Sequence, residues 1–219
     1  TRKAANEAKE RAASRFGLDA KKDLVHFRTL HSLALTMTDI RPEQVMQEAN
    51  YKELSKKIGI SLGGSKNTNF DDDMPSMVSS NDPILGLINL ARLRKVNLRD
   101  QYNNSNIEDD WNTVNYVEKC LREYKEKLGL YDFTDMLDQF VSGKNTYCPE
   151  FDLCFLDEAQ DLSPLQWDIA HILDENSKRM YCAGDDDQAI YRWAGADVDH
   201  GARLLANFIT SRLPTPTSG

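Results

Sequence analysis

Phe151-Asp-Leu-Cys-Phe-Leu-Asp-Glu-Ala-Gln-Asp161 is the segment from which the fold class follows. Its apolar residues alternate and then run together up to Leu156, which predicts a strand buried on both faces, as in a parallel sheet. Two adjacent acids, Asp157 and Glu158, follow at the carboxyl end of that strand, the edge where open α/β sheets bind ligands. One acid can hold Mg²⁺ while the other activates a water molecule, although a strand that simply ends in solvated acids has the same pattern.

A second strand is predicted a short helix further on. The helix spans about Pro164 to Glu175, and the run Lys178-Arg-Met-Tyr-Cys-Ala183 then leads into Gly184-Asp-Asp-Asp-Gln-Ala-Ile-Tyr-Arg-Trp-Ala-Gly-Ala196. We expect the two strand ends to lie side by side, with their polar groups on one edge of the sheet. Gly184 is expected to allow a tight turn off the second strand.

The two polar segments together resemble motifs II and III of the UvrD/Rep-type superfamily 1 DNA helicases. The resemblance is carried by Asp157-Glu-Ala-Gln-Asp161 and by the segment from Gly184 to Ala196. It implies an α/β fold, namely a partial RecA-like (P-loop NTPase) parallel-sheet domain with an inserted, mostly α-helical subdomain. It also implies ATP and Mg²⁺ as cofactors of the full-length protein, with single-stranded DNA and its junction with duplex DNA as partners.

The resemblance assigns roles around the nucleotide. Asp157 would bind the metal ion and Glu158 would activate the attacking water. Gln160 and Asp161 would hydrogen-bond within the site, and Gln188 would sense the γ-phosphate. The implied catalytic residues are Glu158 and Gln188, and the implied nucleotide-binding residues are Asp157, Glu158, Gln160 and Gln188.

The resemblance also places DNA contacts after motif III. Tyr191 and Trp193 would stack on bases, and Arg192 would contact a phosphate. The alternative for Trp193 is an anchor in a core or an interface. Ala194 stands where the family commonly has Arg, which leaves one arginine contact open.

The amino-terminal segment, 1–16, is predicted to be a basic helix because alanines recur along it. Its start resembles motif Ia, which meets the backbone of single-stranded DNA, so Thr1 and Lys3 are implied DNA contacts. A strand is predicted over Leu24 to Arg28.

The next segment, Thr29-Leu-His-Ser32, resembles motif Ib, with Leu30 in place of the usual Phe. Thr29 is a candidate helix N-cap. Thr29, His31 and Ser32 can donate hydrogen bonds to phosphate from a helix start. For His31 the alternative is a structural histidine packed under the loop.

The middle of the chain loses the strand pattern. Helical periodicity marks Pro42 to Lys57, Pro83 to Val96 and Asp109 to Leu128, and a polar loop is predicted over Gly59 to Asn81. The predicted division is residues 1–38 for the first part of the RecA-like domain, 39–130 for the helical insertion, 131–208 for the remainder, and 209–219 for a tail. The helix after Tyr131 should bury its apolar side chains, which are Phe133, Met136, Leu137 and Phe140.

Composition limits the classes of function. The chain has 219 residues, a net charge of −8 and a pI near 5.1, which argues against a passive nucleic-acid coat. Basic residues nevertheless crowd the amino-terminal segment. There is neither a membrane-spanning run nor a signal peptide. The four cysteines lack CxxC spacing, which favours reduced thiols and a cytoplasmic location.

These patterns predict a fragment of an ATP-dependent DNA helicase that couples ATP hydrolysis to movement on single-stranded DNA and to unwinding. The segment Gly59 to Lys66 lacks the Gly-Lys-Ser/Thr ending of a phosphate loop. We therefore expect this chain alone to be inactive, because Walker A and motifs IV to VI are absent. A non-catalytic DNA-binding or partner-docking module is the alternative. A nuclease built on Asp185, Asp186 and Asp187 is the weakest choice.

Overall fold

The chain is a mixed α/β protein that divides into two compact units. A computed structural model describes residues 2–62, 82–143 and 146–184, with side chains from Asn6 onward. The first unit holds the described residues up to Tyr147 except Leu93–Lys95, and the second holds Leu93–Lys95 together with residues 148–184. No helix in the described ranges is both long and apolar enough to cross a membrane.

The first unit is helical. Its α-helices are α1 (Arg2–Phe16), α2 (Leu30–Met37), α3 (Glu48–Ile58), α4 (Pro83–Leu93), α5 (Leu98–Asn103), α6 (Trp111–Leu128) and α7 (Phe133–Val141), with a 3-10 turn at Pro42–Gln44. Local chemistry sets several of the ends. Asp110 caps α6 by accepting hydrogen bonds from the backbone of Asn112 and Thr113, and Gly129 ends it at a left-handed φ of 62°. The helices predicted over 1–16, Pro83 to Val96 and Asp109 to Leu128 are confirmed, whereas α5 was missed. The single helix predicted over Pro42 to Lys57 was wrong in its first part, because residues 45–47 are extended and pair with Tyr131.

Helices α3, α4 and α6 share a hydrophobic core inside the first unit. Its fully buried members include Val114 and Val117 of α6 and Leu54 of α3. The described members of this core all lie from Met46 to Leu130. Buried apolar area is the main favourable term in folding, so this helical block has a core of its own.

Helix α7 packs against α2 and buries one face. Met136, Leu137 and Phe140 are almost wholly inaccessible to solvent, as predicted, while Phe133 is half-buried. The spacing of the buried residues matches the 3.6-residue period that the sequence indicates.

A cluster of ion pairs joins α4, α6 and the start of α7. Arg92 donates to the carboxylates of Asp132, Asp135 and Asp138, and Lys125 donates to Asp132 and Asp135 at 2.5 and 2.6 Å. We refer to these five residues as the Arg92 cluster. Three carboxylates share two cations in it, and Asp132 is almost completely buried.

The second unit is a β-α-β arrangement. Strand β1 (Cys154–Leu156) pairs in parallel with β2 (Met180–Cys182), and Cys154 lies opposite Met180. Helix α8 (Pro164–Glu175) connects them and begins with a capping box between Ser163 and Gln166. The order strand, helix, strand and the parallel pairing are confirmed.

The prediction that the first strand is buried on both faces was wrong. Leu156 and Met180 are buried, but Phe155 is 72% exposed and Tyr181 is 50% exposed. Their rings stack on each other, with 5.5 Å between centroids. Helix α8 contacts β1, and among the described residues of this unit nothing covers the opposite face of the sheet.

The predicted strand over Leu24 to Arg28 was also wrong, since this segment forms turns. The backbone N–H of Phe27 donates to the carbonyl of Leu24, and the guanidinium of Arg28 donates to the carbonyl of Val25. A strand needs a hydrogen-bonding neighbour. Within the described ranges these carbonyls are satisfied locally instead.

Candidate functional site

The carboxyl ends of β1 and β2 are joined beyond the strands themselves. The backbone N–H of Ala183 donates to the carbonyl of Leu156 at 2.7 Å, and the N–H of Ala159 donates back to the carbonyl of Ala183 at 2.9 Å. The two strand ends therefore lie side by side, as predicted. The residues between these two bonds are Asp157 and Glu158.

Glu158 takes an unusual backbone conformation at this edge. Its φ and ψ are 53° and 41°, the left-handed region that residues other than glycine seldom adopt. Both Asp157 and Glu158 are exposed. Backbone strain of this kind accumulates at functional sites, where surrounding contacts hold it in place.

The side chain of Gln160 is hydrogen-bonded to the carboxylate of Glu158. This side chain is buried, and its Nε2 donates to Glu158 Oε2 at 2.6 Å. A hydrogen bond to an ionised acceptor is shorter and stronger than one between neutral groups. The exposed carboxylate is thus attached to a buried amide in the 3-10 turn Ala159–Asp161.

Asp161 completes the acidic edge of this turn. Burial raises the pKa of its carboxyl group, and the nearby negative charge of Glu158 raises it further. Its Oδ1 is buried and has no hydrogen-bond partner among the residues that the structure describes. An unpaired buried oxygen is a costly feature, so this edge of the site is suited to receiving a proton or a cation.

Carboxylate oxygens are the ligands that Mg²⁺ prefers, and this ion usually takes one or two of them and keeps several waters. The exposed Asp157 beside Glu158 offers hard oxygen donors of that type. No group of three or more acidic, histidine or cysteine side chains suited to a metal occurs in the described ranges. The donor set fits Mg²⁺ held partly by water and by a bound phosphate.

The tight turn predicted after Gly184 involves residues outside the described ones and stays a prediction. Gly184 itself is not among the glycines with a positive φ. A Cβ atom at this position would instead lie 2.7 Å from Oε1 and 3.1 Å from the backbone nitrogen of Gln160. A larger residue here would displace the amide of Gln160, because the segment after β2 lies against it, and sequence alone gave no sign of that contact.

The predicted DNA contacts of motif Ib lie at the start of α2, in the first unit. The hydroxyl of Thr29 caps the helix by accepting from the backbone N–H of Ser32 at 3.3 Å, and the side chain of Ser32 is exposed. His31 is buried, and its ring meets that of Phe133 edge-on with 6.1 Å between centroids. Its Nε2 finds no hydrogen-bond partner in the described part of the chain. The burial of His31 agrees with the packing alternative.

The other predicted site residues lie outside the described residues. They are Thr1, Gln188, Tyr191, Arg192 and Trp193, together with the side chain of Lys3, whose backbone belongs to α1. Their roles, and those assigned to Asp157, Glu158, Gln160, Thr29, His31 and Ser32, stay predictions.

Comparison with known proteins agrees with the geometry. An ATP-dependent DNA helicase PcrA from Leuconostoc citreum is 27% identical over 209 residues, covering 91% of this chain and 27% of that protein. A PcrA from Bacillus subtilis is 28% identical over 212 residues, covering 90% and 27%. The DNA helicase II of Escherichia coli is 30% identical over 111 residues, covering 47% and 15%.

The chain thus spans about a quarter of the length of the two PcrA relatives, at 27% of each. A family model described as the UvrD/REP helicase N-terminal domain matches residues 1–208, which is nearly the whole chain. The carboxylate pair at the end of β1 lies within this match. This chain belongs to the UvrD/REP helicase N-terminal domain family.

Proposed function

We propose that this chain is the part of an ATP-dependent DNA helicase in which ATP hydrolysis is catalysed at the end of β1. One observation carries the proposal. The adjacent carboxylates of Asp157 and Glu158 are exposed at the carboxyl end of a parallel strand that is bonded to its neighbour, in a member of a helicase family. The relatives named above as ATP-dependent DNA helicases support the same activity.

Each acid has a distinct task in this proposal. Asp157 would hold Mg²⁺, which, when bound, neutralises charge on the phosphate oxygens. Glu158 would accept a hydrogen bond from the attacking water and take its proton as the water oxygen bonds to the γ-phosphorus. The bond from that phosphorus to the bridging oxygen breaks in the same step, and ADP leaves. Its exposed carboxylate can reach a nucleotide, while Gln160 limits its movement. Gln188 would sense the γ-phosphate.

The fold is proposed to be an incomplete RecA-like domain with a helical insertion. The parallel β-α-β unit supports the first part. The separate core of the helical block supports the second, because its residues fall almost entirely between 39 and 130. The boundaries 1–38, 39–130 and 131–208 follow as proposals.

Single-stranded DNA, and its junction with duplex, is the proposed partner. Helix α1 presents the exposed cations Arg11 and Arg15 to solvent, and the exposed Ser32 hydroxyl lies at the start of α2. Cations and hydroxyls at helix starts are the usual phosphate contacts. Tyr191, Arg192 and Trp193 would supply stacking and a further phosphate contact.

The test is DNA-stimulated ATP hydrolysis, measured on this chain and on a longer protein that contains it. Turnover is expected only in the longer protein, because this chain has no phosphate loop. Glu158→Gln in the longer protein should lower kcat by about 100-fold or more, as expected for loss of a general base. Asp152→Asn is the matched control, since Asp152 is an exposed acid that forms a surface ion pair with Lys178.

Each alternative has its own outcome. Hydrolysis by this chain alone would contradict the predicted lack of a phosphate site. Absence of turnover in both proteins, with single-stranded DNA still bound, would favour the non-catalytic binding module. Equal loss of activity in Glu158→Gln and Asp152→Asn would mean that Glu158 has no special role.

A further inference from the structure

Gln160 is a buried polar residue that contacts Glu158 and Gly184 at the end of the sheet. It is 3% exposed, whereas the carboxylate of its partner Glu158 is in solvent. The bond between them is 2.6 Å long and runs from the amide nitrogen to Oε2. A carboxylate can only accept, so the amide nitrogen must face Glu158 and the amide oxygen must face away.

The amide oxygen faces the end of β2. Oε1 of Gln160 lies so close to Gly184 that a Cβ atom there would approach to 2.7 Å, well inside van der Waals contact. The backbone nitrogens of Gln160 and Ala159 would lie at 3.1 and 3.4 Å from this added Cβ atom. The amide group is therefore confined between the carboxylate of Glu158 and the backbone of Gly184.

The backbone around Glu158 is fixed by the same strand. Bonds from Ala183 to Leu156 and from Ala159 to Ala183 bracket the left-handed residue on both sides. The backbone around Glu158 is thus bonded to Ala183, and its side chain is linked through Gln160 to Gly184, the two residues that follow β2. A shift of Ala183 and Gly184 would move the carboxylate directly.

We propose that Gln160 is a positioning residue for Glu158, and that the Ala183–Gly184 end of β2 sets where the Glu158 carboxylate lies. The inference rests on the proposed function, because it treats Glu158 as the base for ATP hydrolysis. It gives Gln160 an indirect role, acting through Glu158, in place of direct contact with the nucleotide. It also means that a movement of the residues just after β2, before the second polar segment, would change the rate of hydrolysis by moving Glu158.

The first experiment is steady-state ATP hydrolysis by the longer protein carrying Gln160→Leu or Gly184→Ala. Leu has a volume close to that of Gln but no donor, and Ala adds only the crowding Cβ. Both should lower kcat by roughly 10- to 100-fold, the range expected for a reacting group misplaced by about 1 Å. The KM for ATP should change less than about threefold, because neither substitution removes a group that binds ATP in the ground state.

A double-mutant cycle separates positioning from general damage. In a Glu158→Gln background, Gln160→Leu should cause almost no further loss, because it acts only through the residue already replaced. A full additional loss would overturn the proposal, as would a raised KM with unchanged kcat, the signature of direct nucleotide contact. Asp152→Asn serves as the control for both parameters.

A spectroscopic measurement on this chain makes the inference independent of activity. The side-chain amide protons of Gln160 should exchange slowly with solvent, and their resonances should move upfield in Glu158→Ala but not in Asp152→Asn. Unchanged resonances in Glu158→Ala would contradict the contact. If the longer protein does not hydrolyse ATP while these resonances respond, the proposed function fails and the Gln160 contact stands.

Discussion

The buried polar side chains of Gln160 and His31 differ in their hydrogen bonding. Gln160 is buried with its amide donating to a carboxylate, whereas the Nε2 of the buried His31 has no partner within the described ranges. Burial lowers the pKa of His31 from 6.5 to about 4, because the charged imidazolium would lose its hydration. His31 is consequently neutral near pH 7. It cannot act there as a cationic phosphate contact, and a neutral ring packed on Phe133 does not add to the salt dependence of DNA binding.

The low pKa of His31 predicts a loss of stability in acid. The unfolded chain takes up a proton near pH 6.5 and the folded chain only near pH 4, so unfolding becomes more favourable as the pH falls between these values. The free energy of unfolding should fall by about 3 kcal/mol over this interval. His31→Leu should remove most of this fall. Urea denaturation at a series of pH values measures it.

His26→Leu is the control, because His26 is exposed and its replacement should leave the acid loss in place. A wild-type stability that stays flat from pH 6.5 to 4 would contradict the burial of a neutral His31.

At the level of the elements, the Arg92 cluster fastens α4 and α6 to the start of α7. Burial alone raises the pKa of Asp132, but the charges of Arg92 and Lys125 outweigh it and hold the pKa well below its ordinary value. For Asp135, burial and the neighbouring charge of Asp132 win, and its pKa is raised. The predicted boundary at 130 passes through this cluster. It therefore acts as a rigid joint between the helical block and α7.

Arg92→Met should destabilise the first unit strongly. The change leaves the buried carboxylate of Asp132 with Lys125 as its remaining cation. Removing one partner of a buried ion pair costs about 3–5 kcal/mol, so a loss near the lower figure is expected in urea denaturation. The side chain of Arg92 is 26% exposed and that of Asp132 is 4% exposed, so solvent screens this pair less than a surface ion pair.

The matched control is Arg122→Met, which removes an exposed partner of Glu118 on α6. Its cost should stay below about 0.5 kcal/mol. Similar losses in the two variants would show that the cluster contributes no more than a surface ion pair.

Most elements could be predicted from the sequence because their signals are local. Thr29 and Ser163 start helices, and the period of the buried residues gives α7 and α8. The wrong predictions concern elements whose structure depends on contacts with residues distant in sequence. The segment Leu24 to Arg28 forms turns, and no strand pairs with it among the described residues. The sequence of the segment does not indicate which neighbours it will have.

On the scale of the whole molecule, the carboxylate pair and its place at a sheet edge could be predicted, since a strand followed by acids is a local pattern. The left-handed conformation of Glu158 and the close approach of Gly184 to Gln160 could not, because both depend on how β2 meets the turn after β1. Family membership extends over residues 1–208, but the chain covers only 27% of its PcrA relatives. The activity of the whole protein is accordingly the part that needs measurement.

The stacked pair of Phe155 and Tyr181 has a practical consequence for work with the isolated chain. Single exposed aromatics are common, but a contiguous apolar face on a parallel sheet promotes aggregation. The isolated chain should bind a hydrophobic dye and self-associate with rising concentration in sedimentation experiments. Phe155→Ser should improve solubility, and Tyr147→Ser, which removes an exposed aromatic outside this pair, should not. Equal solubility of the two variants would show that the sheet face is not the cause of self-association. The expected difference would make Phe155→Ser the preferred background for solution studies.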